Sequence, residues 1–285
     1  DFHGSLAAYR AAKAKLVTRT TGSAASRARG LPQVVVVHAS DPAVQPFAET
    51  AAAAGLRVAR YDALSERRVL IDGVEAELHL AMPGRINAAN AAAALTLLSA
   101  WGMPLEAATA AVEAEVGPPG RSQIVDAGQP FRVIVDFAHT GPSLSAAVAV
   151  ARGLCAEGGR LLLVTGAAGD RDPGRRAAVG AAAARADAIW IADEDPRNED
   201  PALIAAAIRR AYLEASHRPD AACTVLHDRS AAILAAIAAA RPGDVVLLAG
   251  KGHERTIERH GVDEPWDEVA AARSALNALG YPPRP

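Results

Sequence analysis

Residues 133–170 read VIVDFAHTGPSLSAAVAVARGLCAEGGRLLLVTGAAGD. Two short apolar runs, Val133–Phe137 and Leu161–Thr165, flank a segment with helical spacing over Ser143–Arg152, and each run ends in polar residues. Uninterrupted apolar runs of this length mark strands buried on both faces, and strand–helix–strand order within one sheet implies a right-handed parallel crossover. The pattern continues through the apolar runs Ala188–Ala192, Cys223–His227 and Val245–Ala249, with helical spacing over Arg175–Ala184, Pro201–Ala215 and Ser230–Ala240. The expected fold class is α/β, a mostly parallel sheet with helices on both faces. Ligands of such sheets bind beyond the carboxyl ends of the strands. The polar segments there are Asp136–Thr140, Gly166–Arg176, Asp193–Arg197, His227–Arg229 and Gly250–Glu254.

Upstream, the sequence predicts a helix over Ala7–Val17, a polar loop over Thr18–Gly30 and a buried parallel strand at Val34–Val37 that ends at His38-Ala-Ser-Asp-Pro42. A helix over Val44–Gly55 and a strand over Leu56–Tyr61 follow, then a strand pair within Arg68–Leu80 turning at Asp72-Gly73, a strong hairpin signal. Helices are expected over Asn87–Trp101 and, opening at a proline, Pro104–Val116. Gly117-Pro-Pro-Gly120 interrupts all regular structure, which divides the chain into domains 1–118 and 119–285.

Composition narrows the function. With 285 residues, 51% hydrophobic and 22% charged, the chain has the apolar material for two packed cores, which excludes global disorder. A net charge of −2 lacks the electrostatic footprint of a general nucleic-acid binder, so any phosphate recognition is local. Cys155 and Cys223 show neither CxxC nor Cys/His spacing, which argues against a disulfide framework or a zinc site and fits a reducing cytoplasm. No apolar run reaches the roughly 18 residues of a membrane span, so membrane insertion is not expected. The chain opens at Asp1 rather than Met, within what reads as a motif, and is expected to be part of a longer protein.

The segment Gly166–Arg176 joins a glycine-rich turn to Arg171, Arg175 and Arg176, which suits a carboxylate or phosphate held by paired N–H donors; a solvated charged turn explains it equally well. It lacks the spacing of a Walker A loop. Asp193-Glu-Asp-Pro-Arg197 offers carboxylates for an ammonium group and an arginine for a carboxylate, or simply an acidic approach to the helix at Pro201. The two glycines around Lys251 suggest backbone crowded against a ligand, or a strand-end turn. His139 and Asp136, taken alone, fit capping roles, and no GxSxG or HExxH motif is present.

Taken together, Gly84-Arg-Ile-Asn87 with Asn90, Gly120-Arg121, Asp136-Phe-Ala-His-Thr140, Gly169-Asp-Arg-Asp172, Asp195-Pro-Arg197, Asp228-Arg229 and Gly250-Lys-Gly-His-Glu254 resemble the Mur ligases, specifically the MurE type. Asp1-Phe-His-Gly4, Tyr9 and Lys13 resemble part of that family's central ATPase domain, so the likeness covers nearly the whole chain. The resemblance implies part of a central ATP-binding domain over 1–118 and a Rossmann-like, amino-acid-binding C-terminal domain over 119–285. It implies an ATP-dependent, C–N-bond-forming ligase of peptidoglycan (cell-wall) biosynthesis, cytoplasmic and monomeric. ATP would phosphorylate the free carboxylate of UDP-MurNAc-L-Ala-D-Glu, and the amine of a diamino acid would attack the acyl phosphate. By resemblance, Lys13 is a carbamylated lysine that helps bind Mg2+ and His139 points toward the nucleotide, both as catalytic groups. Asn87 and Asn90 would contact adenine, with Arg121 and Asp136 near the sugar. Arg171, Asp195, Pro196, Arg197, Gly250 and Glu254 would form the amino-acid pocket, arginines binding carboxylate and Glu254 the distal ammonium.

The chain departs from the family in places. Glu194-Asp195-Pro196-Arg197 replaces the Asp-Asn-Pro-Arg of diaminopimelate-adding members, which retains the arginine but adds negative charge and admits ornithine or lysine as alternatives. Gly141-Pro142 stands where Pro-Asp is usual, Ser122-Gln123 replaces a hydrophobic–acidic pair, and the stretch from Tyr61 to Pro83 is short. The family's P-loop would precede Asp1, so the 285-residue chain alone is expected to lack ligase turnover. The competing readings are a catalytically dead amino-acid-binding remnant and a related amide ligase of the cyanophycin or folylpolyglutamate synthetase kind; the Asp-Pro-Arg and Gly-Lys-Gly-His-Glu pair argues against the latter.

Overall fold

A computed structural model of the chain describes residues 4–21, 28, 30 and 32–282. The first three residues of the Asp1-Phe-His-Gly4 motif, and residues 22–27 and 29 of the expected polar loop, lie outside them. The chain divides into two compact units, Asp1–Val116 and Gly117–Pro285.

In the first unit, α1 (Leu6–Thr21), β1 (Val34–His38), α2 (Gln45–Ala53) and β2 (Arg57–Ala63) are followed by the hairpin β3 (Arg68–Ile71) and β4 (Val74–Glu77), then α3 (Arg85–Ala100) and α4 (Leu105–Glu113). The four strands form one sheet in the order β1-β2-β3-β4, with β1 parallel to β2 and the other pairs antiparallel. Asp72 and Gly73 both adopt positive φ, 48° and 91°, the twist that a two-residue hairpin turn requires. The alanines of α3 allow it to lie close on the sheet, where Ala88, Ala92 and Leu95 pack with Val69 and Ile71. Val34, Val35 and Val36 are only half-buried. The expectation of a fully buried strand fails there because β1 is the edge of this sheet rather than an inner strand.

The second unit contains β5 (Gln123–Val125), β6 (Arg132–Asp136), α5 (Gly141–Gly153), β7 (Leu161–Thr165), α6 (Gly174–Ala182), β8 (Ala188–Ile191) and α7 (Pro201–Ser216). It continues with β9 (Cys223–Val225), α8 (Arg229–Ala238), β10 (Val245–Ala249), the hairpin β11 (Thr256–Arg259) and β12 (Val262–Pro265), and α9 (Glu268–Ala278). The main sheet has the order β5-β6-β10-β7-β8-β9, parallel throughout except for β5. Side chains alternate across it. Ile134, Leu161, Leu163, Ile189 and Leu247 face α5, α6 and α7, and Val133, Val135, Leu162, Val164 and Val246 face α8 and α9. Both faces are covered, which is why the strands read as continuous apolar runs. Truncating Leu163, fully buried between these layers, would cost about 2–5 kcal/mol. The helices begin on side-chain caps that hold the strand-end loops in place: Thr140 with Ser143 forms a capping box at α5, and Asp200, Asp228 and Asp267 cap α7, α8 and α9.

Candidate functional site at the carboxyl ends of the strands

The polar segments after β6, β7, β8 and β10 meet along one edge of the second unit, and two glycines fit them together. A Cβ on Gly120, whose φ is 64°, would lie 2.2 Å from the Gly252 carbonyl carbon, and one on Gly252 would lie 2.7 Å from Cα and Cβ of Phe137. Backbone from three segments is therefore in direct contact, which excludes any side chain at either glycine. Beside this contact a cavity of about 430 Å³ is bounded by Gly120, His253, Glu254 and Arg255. The Phe137 ring carries the exposed Arg121 guanidinium at 4.5 Å and the rings of His139 and His253 at 4.4 and 4.7 Å. His139 also contacts the Phe137 carbonyl through Nδ1 at 2.8 Å. Asp136 accepts the amide and hydroxyl of Ser122 on Oδ2 and the Ala138 amide on Oδ1, so much of its capacity holds the turn.

Beyond β8, three successive acids have different surroundings. Asp193 is engaged on both oxygens, accepting from His227 Nδ1 at 2.9 Å and from Arg259. Asp195 Oδ1 accepts from Lys251 Nζ at 2.9 Å and from the Glu258 amide at 2.8 Å. Glu194 is buried, and its Oε2 has no hydrogen-bond partner among the described residues. It lies against Gly250, where a Cβ would come within 2.7 Å of that oxygen. Burial pushes its carboxyl up to about 7, although Arg229 and Lys251 pull the other way.

Lys251 is 1% exposed and bridges Asp195 to Glu254, whose Oε2 lies 2.7 Å from Nζ and whose side chain reaches solvent. Arg197 has a positive φ of 54° and is clamped by β11: its amide donates to the Glu258 carbonyl, and its carbonyl accepts from His260. The Arg197 guanidinium donates to Glu258 Oε2 at 2.8 Å and to the Gly169 carbonyl at 3.1 Å. Pro196 is buried between them, with its carbonyl against Gly169. Arg171 is exposed on the loop after β7.

Some sequence-predicted residues serve the fold instead. Arg176, expected as an anion ligand, is buried and gives Nη2 to both carboxylate oxygens of Glu199, each contact being 2.7 Å. Asp228 is a helix cap, and Arg229 forms a fully buried ion pair with Glu268 at 2.6 Å while donating to the Ala249 carbonyl. Sequence reasoning missed Glu258, because the chain was expected to end its strands at β10. The turn His260-Gly261, between alternating residues of β11 and β12, was the available signal.

In the first unit, Lys13 is exposed on α1 with its ammonium 5.4 Å from the Tyr9 ring. Asn87 is buried and donates to the Pro83 carbonyl at 2.7 Å, and Asn90 is exposed on α3. Among the described residues no cluster of three His, Cys, Asp or Glu side chains could hold a metal ion, so they do not by themselves compose a Mg2+ site. No described helix is long and apolar enough to cross a membrane.

Residues 120–252 match the family model of the Mur ligase glutamate ligase domain. A UDP-N-acetylmuramyl-tripeptide synthetase of a Roseiflexus species is 38% identical over 301 aligned residues, covering 99% of this chain and 58% of the relative. A solved UDP-N-acetylmuramoyl-L-alanyl-D-glutamate–2,6-diaminopimelate ligase superposes with a TM-score of 0.57 at 27% identity, over 97% of this chain and 57% of that one. Folylpolyglutamate synthase of Mycobacterium tuberculosis, with a TM-score of 0.61 at 20% identity over 88% of this chain and 56% of that one, shares the fold. The chain thus spans less than two thirds of the curated relatives it matches. The domain match falls across the strand-end turns described above and the sequence likeness runs along nearly the whole length, so residues 120–252 are a Mur ligase domain and the chain as a whole is similar to UDP-N-acetylmuramyl-tripeptide synthetases.

Proposed function

We propose that the protein carrying this chain is a cytoplasmic, monomeric ATP-dependent ligase that adds a diamino acid to UDP-MurNAc-L-Ala-D-Glu. The observation that carries this reading is the strand-end group of Asp195, Lys251, Glu254 and Arg197, which joins carboxylates and cations in one place within a Mur ligase domain. In the reaction, a substrate carboxylate oxygen bonds to the γ-phosphorus of ATP and ADP leaves. The incoming amine then bonds to the acyl carbon, phosphate leaves and the amine gives up a proton. This chain's residues bind and orient. Glu254, ionic and solvent-facing, receives the distal ammonium, and Asp195 adds negative charge behind it. Arg121 keeps its donors exposed above Phe137 for the nucleotide, and Asp136 retains an acceptor position on Oδ1 for the sugar. Asn87 and Asn90 are assigned to the adenine, His139 to the phosphate side and Arg171 to the amino acid's carboxylate. Lys13 belongs to this reading as the carbamylated lysine that would help hold Mg2+, whose charge would offset that of the phosphates.

The test is ATP-dependent formation of a UDP-MurNAc-tripeptide, followed by product mass and ADP release in the protein that carries this chain. Glu254→Gln is expected to lower kcat/KM for the amino acid by about tenfold to a hundredfold, the value of a charge-assisted hydrogen bond. Absence of product with every diamino acid would overturn the reading.

A further inference from the structure

The Arg197 guanidinium is already occupied. A planar guanidinium grips a carboxylate through one of its two-nitrogen edges. Glu258 takes one edge at Nε, at 2.8 Å, and the Gly169 carbonyl takes the other at Nη1, at 3.1 Å. Nη2 alone has no partner among the described residues. Glu258 is not there by chance of rotamer, because its backbone is tied to the same segment. Its amide donates to Asp195 Oδ1, its carbonyl accepts from Arg197, and Arg197 bridges Arg259 as an added strand residue. A second carboxylate arriving at Arg197 would find both two-nitrogen edges already engaged at one nitrogen and a facing negative charge.

The charges around the pocket point the same way. Asp195, Glu254 and Glu258 carry three negative charges, against the two positive charges of Lys251 and Arg197, and ion pairs or hydrogen bonds link them. Within this linked group the negative charges exceed the positive by one. The ω-ammonium of lysine or ornithine supplies a matching positive charge, whereas the distal end of diaminopimelate is a zwitterion and supplies none.

We infer that Glu258 is a specificity-determining residue: by filling the guanidinium of Arg197 it takes the place of a substrate's distal carboxylate, so that the pocket selects a diamino acid with a bare ω-ammonium over diaminopimelate. This inference rests on the amino-acid pocket proposed above. Selection arises both from the attractive Glu254 and from the repulsive Glu258.

Titration of the 285-residue chain with L-lysine, L-ornithine and meso-diaminopimelate to tens of millimolar, followed by NMR chemical shifts, tests it. The expected result is that lysine or ornithine binds at least about tenfold more tightly than diaminopimelate. Glu258→Ala and the milder Glu258→Gln should then raise diaminopimelate affinity relative to lysine by a similar factor, with unchanged circular dichroism as the folding control. A ratio of two ligands is a readout that simple loosening of the loop would not move. Diaminopimelate binding as tightly as lysine to the unaltered chain, or a ratio that neither variant shifts, would overturn the inference while leaving the pocket intact. If none of the three binds, the pocket reading fails, and the inference with it.

Discussion

Asp187 and Asp244 immediately precede β8 and β10, at the amino ends of the parallel strands, and Glu194 follows β8 at the carboxyl ends. All three are shielded acids on one sheet, yet their surroundings differ. Asp187 accepts from the Leu161 amide, Arg152 and Arg218, and Asp244 accepts from the amides of Arg160 and Arg241 and from the Arg160 side chain. Burial alone would raise both, but these donors outweigh it and hold both carboxyls below the usual range. At Glu194 burial prevails and the carboxyl rises to about 7. The amino end uses its charges to complete the fold, with every acceptor answered. The carboxyl end leaves buried oxygens unanswered, Thr165 Oγ1 at the end of β7 and Glu194 Oε2 next to Gly250, a pattern common at ligand-binding edges.

The largest expected effect tests an exception within the carboxyl end. Arg229 grips both carboxylate oxygens of Glu268 there through Nε and Nη2, and both side chains are fully buried, although Arg229 Nη1 has no partner among the described residues. Glu268→Ala leaves that arginine buried and uncompensated and should cost about 3–5 kcal/mol in urea unfolding. A loss below 1 kcal/mol would show that this pair does not anchor the turn after β10.

Glu194→Gln should act in the opposite direction. The folded carboxyl titrates near 7 and the unfolded one near 4.5, so the folded state binds more protons between those values and stability falls as pH rises through that window. The glutamine variant removes that loss. It should match the parent at pH 4 and exceed it at pH 8 by about 3 kcal/mol. Equal stability at pH 8 would mean that Glu194 ionises there without penalty.

A smaller effect is expected at Asp187. Its folded carboxyl is depressed, so its contribution is present above the unfolded value of 3.8 and is lost as pH falls through the folded value. Asp187→Asn should cost about 1–2 kcal/mol at pH 7 and progressively less in acid, measured by the same unfolding series. A cost that does not shrink in acid would assign the effect to packing rather than charge.

The strands most visible in the sequence are those buried on both faces, since residues 161–164 and Val245–Ala249 leave no polar position to obscure them. β5, β11 and β12 were not legible. β5 and β11 are short and only partly buried, β12 is exposed throughout, and the alternation in Thr256-Ile-Glu-Arg259 looks like an ordinary polar turn. The site was legible as a set of segments, because topology alone gathers strand ends at one edge. Its pairings were not. Arg197 with Glu258, Lys251 with Asp195 and Arg176 with Glu199 join charges distant in sequence, and nothing local in Arg176 distinguishes a ligand-binding arginine from one already engaged.

The strand order carries a consequence for how this domain comes into being. β6 and β7 do not touch; each pairs with β10, which lies between them. A chain made from its amino end therefore carries two strands with complementary edges and no shared partner until Ala249 has been synthesised. The contact of Gly120 with Gly252, 132 positions apart, closes only after that. The site is thus a late part of the domain to acquire its geometry, and the pocket cannot exist on a chain that ends before Glu258.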